Sequence, residues 1–232
     1  MASLEILVIE QDDKPHLDPD ELPPSCRHVF VWNPGVFNKS WGFNIGWHET
    51  SADILVFSDA DILIGHEVLR RAIDSCVSEY DVVRPWSDVV DLTEEETTSL
   101  IAGSLDVPAV SEPRRRGRAK KGEFPPLCGG IYVIGRDAYE RLGGQDERFR
   151  GWGGEDDAMS IKVGTLLTKV ALLREGIALH MNHPRHAALP VNNIDYRHNV
   201  SLLREYRRLT HEELDHLCGE QRLTMGDPNR FG

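Results

Sequence analysis

Apolar and polar positions along this chain change period in blocks, and each block predicts an element. "LEILVIE" at 4 to 10 is a short apolar run between polar flanks, the pattern of a buried strand, and "RHVFVWN" at 27 to 33 repeats it. After Pro34 and Gly35, "FNKSWGFNIGWHETS" takes a helical pattern, and "DILVFSD" at 53 to 59 is a third strand whose apolar run stops at Asp59. Val68, Leu69, Ala72, Ile73, Cys76, Val77 and Tyr80 share one face of an amphipathic helix. Strand "DVVRPW" follows, and Thr93 with Glu96 forms a capping box that opens another helix.

Residues 104 to 126 interrupt the pattern with prolines and the run "RRRGRAKKG". Such a run reads either as a basic clamp for a phosphate or as a solvated insertion. Order resumes with strand "GGIYVIG" at 129 to 135 and helix "RDAYERLGG", which Gly143 and Gly144 end. A further helix runs to about Leu167, followed by apolar "KVALL" and "GIALHM". In the tail, Leu202, Leu203, Tyr206, Leu209, Leu214 and Leu217 keep roughly helical spacing, with Thr210 and Glu213 as a second capping box. The alternation predicts an α/β fold: a mixed, mainly parallel sheet flanked by helices, over residues 1–199, with 104–126 as an insertion and 200–232 as a helical extension.

Composition narrows the function classes. With 232 residues and 40% hydrophobic content the chain can bury one large core. A formal charge of -12 argues against a general nucleic-acid or anionic-membrane binder, because phosphate surfaces would repel it. Small anionic ligands escorted by a cation stay open. Cys26, Cys76, Cys128 and Cys218 are far apart with no CxxC pair, which fits a reducing, cytoplasmic compartment better than a zinc knuckle or a disulfide framework. "MASLEILVIE" has no basic leader region, and no stretch has the roughly 18 apolar residues of a membrane span.

Three constellations carry chemistry. "VFSDADILI" puts Asp59 and Asp61 at the carboxyl end of a buried strand, where open α/β sheets collect ligands and two carboxylates can converge on Mg²⁺ or Mn²⁺. Alone, the pattern equally describes acids turning the chain. "HMNHPRH" supplies His180, His183 and His186 after an apolar strand, and imidazole beside carboxylate shifts metal preference towards Mn²⁺ or a similar ion; a polar surface loop is the other reading. "FRGWGGEDDA" joins Trp152, the flexible pair Gly153 and Gly154, and Glu155, Asp156 and Asp157 in a first helical turn, where the helix dipole favours ionised acids.

Taken in order, "LVIEQ", "FNKSWGFNIG", "VFSDADILI" and "GGIYVIGRDAYERLGGQDERFRGWGGEDDA" resemble the GT-A glycosyltransferases with a galactosyltransferase-like C-terminal region, as in β-1,4-galactosyltransferases and bacterial chondroitin-type polymerases. The resemblance spans roughly residues 4 to 186. It implies a GT-A, Rossmann-like fold and a metal-dependent inverting transferase that moves a sugar from a nucleotide-sugar, a UDP-sugar by expectation, to a saccharide or other hydroxyl acceptor. By the same resemblance Asp61 and His183 hold Mn²⁺ or Mg²⁺, with His180 standing where the family has methionine. Phe37, Lys39 and Asp59 contact the nucleotide, and Asp156 is the base. Glu155, Gly130, Trp152, Gly153 and Gly154 contact donor or acceptor sugar, with Trp152 on a mobile loop, while Asp157 caps the helix. Enzymes of this kind often build surface polysaccharide. The family's first strand and its "RNR"-like turn find no match before "LEILVIE". That departure leaves an open sheet edge where a second copy could pair, and keeps a second expectation alive: a weak or inactive paralogue that binds a sugar or supports a partner enzyme.

Overall fold

The computed structural model describes residues 4–103, 115–116, 130–174, 176–183 and 193–231. Apart from Arg115 and Arg116, the insertion expected at 104–126 lies outside the described residues, as do Cys128 and His186. In chain order the strands and helices are β1 (Ile6–Asp12), β2 (Cys26–Trp32), α1 (Lys39–His48), β3 (Ile54–Ser58), β4 (Ile62–Ile64), α2 (His66–Ser78), β5 (Val82–Arg84), β6 (Asp88–Asp91), α3 (Glu94–Ile101) and β7 (Arg115–Arg116). They continue with β8 (Ile131–Gly135), α4 (Arg136–Arg141), α5 (Glu155–Leu166), β9 (Val170–Leu172), β10 (Ile177–His180), α6 (Ile194–Tyr206) and α7 (His211–Arg222). Two compact units result: Met1–Ala52 with Tyr139–Ala158 and Pro190–Gly232, and Asp53–Ala138 with Met159–Leu189. The boundary expected at 199/200 falls inside α6, whose buried face runs through Asn199, Leu202 and Tyr206, so the C-terminal helices belong to the first unit.

In the first unit β1 and β2 pair in parallel, Ile6 opposite Cys26 through Asp12 opposite Trp32. Val31, Trp41 and Ile45 form a core with Ile9 and Val29. Asn38 caps α1 by accepting from the Trp41 amide at 2.9 Å, leaving Lys39 on its first turn. Asn44, fully buried, has its whole amide engaged. Its Nδ2 donates to Gln145 O and Glu147 Oε1, both at 2.8 Å, and its Oδ1 accepts from the Tyr139 hydroxyl at 2.6 Å and the Gln145 amide at 3.0 Å. The glycine pair that ends α4 has a second reason to be glycine. A Cβ at Gly143 (φ +65°) would lie 2.2 Å from Cys218 O, and one at Gly144 (φ +63°) would lie 2.4 Å from Asn44 Oδ1. Both predicted capping boxes form, Thr93 with Glu96 in the second unit and Thr210 with Glu213 in the first.

The second unit holds two four-stranded sheets, ordered β3-β8-β5-β9 and β4-β10-β6-β7. Mixed α/β architecture is as expected, but a mainly parallel sheet is not what forms. β5·β9 and β6·β10 are parallel, whereas β3·β8, β5·β8, β4·β10 and β6·β7 are antiparallel. A buried apolar run of three to five residues has the same pattern read in either direction, so strand direction was not encoded in it. Helix α2 lays Ala72 and Cys76 on Val83 and Val133. Burial, helped by Asp81, pushes the Cys76 thiol up to about 11, so at neutral pH it is a small packing group and not a nucleophile. Among the described residues no helix is long and apolar enough to cross a membrane.

Candidate functional site

In the second unit β10 lies between β4 and β6, with His180 opposite Ile62 on one side and Asp91 on the other. Three backbone contacts hold the segment that follows. The Leu92 amide donates to His180 O at 2.9 Å, the Met181 amide to Asp61 O at 2.8 Å, and the Asn182 amide to Thr97 Oγ1 at 2.8 Å. This framework brings Asp61, His180 and His183 together, with their ligand atoms all within 4.8 Å of one another. Asp61 Oδ2 lies 3.1 Å from His183 Nε2 and 3.4 Å from His180 Nε2. Adjacent ligands on one octahedral ion at about 2.1 Å stand about 3 Å apart, so the spacing fits a shared divalent cation. One carboxylate with two imidazoles suits Mn²⁺ or a similar transition ion. The other nitrogen of His180, Nδ1, is 3.1 Å from Asp91 Oδ1.

Asp59, the first acid of the pair, is tied to Gly130 in both directions. Its amide donates to Gly130 O at 2.8 Å, and its Oδ2 accepts from the Gly130 amide at 2.9 Å. Gly130 has φ +107°, and a Cβ there would stand 3.5 Å from Ile62 Cγ1, in ordinary contact. It is the backbone conformation, not the space, that favours glycine. Asp59 thereby fixes the entry to β8, a structural duty added to the nucleotide contact expected of it.

In the first unit Gly151, Gly153 and Gly154 all have positive φ, so the chain turns tightly between Phe149 and the start of α5. Helix α6 grips this loop. Asn199 Nδ2 donates to Arg150 O at 2.8 Å and Trp152 O at 3.3 Å, and Asn199 Oδ1 accepts from the Arg150 amide at 3.2 Å. Trp152, 62% exposed, stacks on Tyr196 with ring centroids 5.9 Å apart. On the far side the Gly151 amide donates to the carbonyl of Phe37, whose own ring is exposed.

Helix α5 then opens with Glu155, Asp156 and Asp157, where its dipole favours negative charge. Lys39 stands against two of them: its Nζ donates to Asp156 Oδ1 and Oδ2 at 2.9 and 3.0 Å and lies 3.1 Å from Glu155 Oε1. The structure thus sets Lys39, expected at a nucleotide, beside the acids. The remaining oxygen of Glu155, Oε2, is buried and has no hydrogen-bond partner among the described residues.

Sequence reading passed over Asp91, Tyr196 and Asn199. β6 is four residues, "DVVD", and lies beyond the strand expected at "DVVRPW", while the expected C-terminal helices begin only at 200, after Tyr196 and Asn199. An acid at each end of an apolar pair, and an asparagine on the buried face of an amphipathic helix, were the available signals.

Comparison with known proteins points one way. A family model described as the N-terminal domain of galactosyltransferase matches residues 118–186. A Caenorhabditis briggsae protein named as a polypeptide N-acetylgalactosaminyltransferase 10 is 30% identical over 133 residues, 53% of this chain and 21% of its own length. Polypeptide N-acetylgalactosaminyltransferase 16 of Mus musculus is 26% identical over 152 residues, 57% of this chain and 27% of that protein. A third relative, 26% identical over 131 residues (51% and 30%), is named inactive polypeptide N-acetylgalactosaminyltransferase-like protein 5, from Macaca fascicularis. The matched part therefore spans less than a third of each of these relatives. Among solved structures, GalNAc-T7 with UDP, GalNAc and Mn²⁺ superposes with a TM-score of 0.53 over 84% of this chain and 44% of that one, at 14% identity. S. aureus TarS 1–349 with UDP-GlcNAc gives 0.50 over 85% and 55%, at 13% identity. The relatives are named as N-acetylgalactosaminyltransferases, the third as an inactive one, and this chain has a GT-A, galactosyltransferase-like fold.

Proposed function

We propose that the protein is a metal-dependent inverting glycosyltransferase that moves a sugar from a UDP-sugar to a hydroxyl of a saccharide or other acceptor. The observation that carries this reading is the convergence of Asp61, His180 and His183 on a common point at the strand ends of the second unit. UDP and Mn²⁺ in the GalNAc-T7 structure, and UDP-GlcNAc in that of TarS, support the donor class. Asp61, His180 and His183 would hold a divalent ion, which would supply charge stabilisation to the departing diphosphate.

The other roles fall to the chain's own residues. Asp156 takes the proton of the attacking hydroxyl, and Glu155 orients the acceptor. The buried, unpartnered Oε2 of Glu155 supports that second role, since an acceptor hydroxyl donating to it would remove an uncompensated desolvation cost. Lys39, which donates to both oxygens of Asp156, competes with the acceptor hydroxyl for that carboxylate. Trp152, Gly153 and Gly154 form the cover over the sugar, excluding water. Phe37 and Asp59 contact the nucleotide, and Gly130 the sugar. One base with no assigned nucleophile corresponds to a single displacement with inversion. Surface polysaccharide assembly in the cytoplasm is part of the proposal; four widely spaced cysteines with no CxxC pair support a reducing compartment.

A second reading, a weak or inactive relative that binds sugar or supports a partner enzyme, has one observation in its favour: the ion pairs of Lys39 occupy both the base and the acceptor ligand. A thermal-shift titration with UDP, GDP, CDP and their sugar conjugates, with and without Mn²⁺, separates the two. A shift that needs both Mn²⁺ and one nucleotide, and is lost in Asp61→Ala, is the expected result. No shift with any nucleotide far above ordinary affinities would replace the first reading by the second.

A further inference from the structure

We infer that Asp91 is a positioning residue for metal capture, acting through His180. The inference rests on the proposed metal site and concerns a residue outside its ligand set. Pairing of β10 with β4 and β6 fixes the backbone of His180 on both sides, and leaves open only the rotation of its ring and the choice of protonated nitrogen. Asp91 stands directly across the parallel ladder, and its Oδ1 lies 3.1 Å from His180 Nδ1. With Nδ1–H donating to that carboxylate, the ring is held in one orientation and in the tautomer whose Nε2 lone pair faces Asp61, 3.4 Å away. The His180 side chain is 12% exposed and that of Asp91 30%, so the hydrogen bond is partly shielded from water. His183 differs. Its side chain is 45% exposed, and it follows the strand instead of lying within it. Asp91 therefore makes His180 the pre-set ligand of the pair, the arrangement by which outer carboxylates orient metal-binding histidines and raise their basicity.

The test is Mn²⁺ binding to the full chain, read as free Mn²⁺ by electron paramagnetic resonance, with the visible spectrum of the Co²⁺-loaded protein as a report on nitrogen ligation. Asp91→Ala is expected to weaken Mn²⁺ about 10- to 100-fold. Its Co²⁺ spectrum should move to that of His180→Ala. Asp91→Asn should lose less, because its side-chain carbonyl still accepts from Nδ1–H, and it keeps the test available if the alanine variant does not fold. In the His180→Ala background Asp91→Ala should cost nothing more. Wild-type affinity in Asp91→Ala, an equal loss in the His180→Ala background, or an asparagine variant as weak as the alanine one would each overturn the inference. If Asp61→Ala and His183→Ala also leave Mn²⁺ binding untouched, the metal site itself fails, a result separate from any outcome at Asp91.

Discussion

The proposed metal-ligand cluster of the second unit and the glycine loop of the first are built by different means. Asp61, His180 and His183 sit on or beside paired strands, and two backbone bonds with a third to Thr97 Oγ1 hold the segment from His180 to Asn182. Residues 151–154 hold no regular structure, contain three glycines of positive φ, and are held by the Asn199 side chain and by a backbone bond from the Gly151 amide to Phe37 O. A ligand set that must match one ion gains from rigid ladders, because a misplacement of half an ångström weakens coordination. A loop proposed to cover the substrate gains from a few hydrogen bonds that can be made and broken.

The sharpest way to break this contrast is to remove chemistry from one region and ask whether the other responds. Asp156→Asn is expected to lower turnover about 10²- to 10⁴-fold, the range of a general base, while Mn²⁺ affinity by calorimetry stays at the wild-type value. Unchanged turnover would take Asp156 out of the role of base. Next in size is Asn44→Ala, which removes the four hydrogen bonds of a fully buried amide; a loss of about 3 kcal/mol in urea unfolding is expected. A loss under about 1 kcal/mol would mean that water or neighbours replace the amide.

His183→Ala should weaken Mn²⁺ about tenfold or more, in a direct titration; an unaltered curve would leave His180 and Asp61 as the working pair. The smallest effect sharpens the comparison most. Asn199→Ala is expected to speed amide hydrogen exchange across residues 150–154 several-fold, consistent with about 1 kcal/mol of lost loop restraint. Exchange at 180–183 should be unmoved. Faster exchange in both segments would mean that the two regions are not independently held.

Much of this was legible in the chain. Strands β1, β2, β3, β8 and β10, the helix faces of α1 and α2, and both capping boxes follow from apolar period and local hydrogen-bonding chemistry, which act over a few residues. The acids of α5, His180 at the end of β10 and His183 beyond it were legible too, because resemblance supplied an ordered set of motifs where each motif alone had a bland reading.

Other features depended on which segments meet. Strand direction, the split of the chain into two units and the place of α6 in the first unit depend on long-range pairing, about which short apolar runs carry no information. The partnership of Lys39 with Asp156 joins residues 117 positions apart, and that of Asp91 with His180 is made by the β6·β10 register. Residue types at the candidate site were therefore determined by the sequence itself. Which acid meets the lysine, which orients the histidine and which helix grips the loop were decided by tertiary structure, because hydrogen bonds form only between groups the fold brings within about 3 Å.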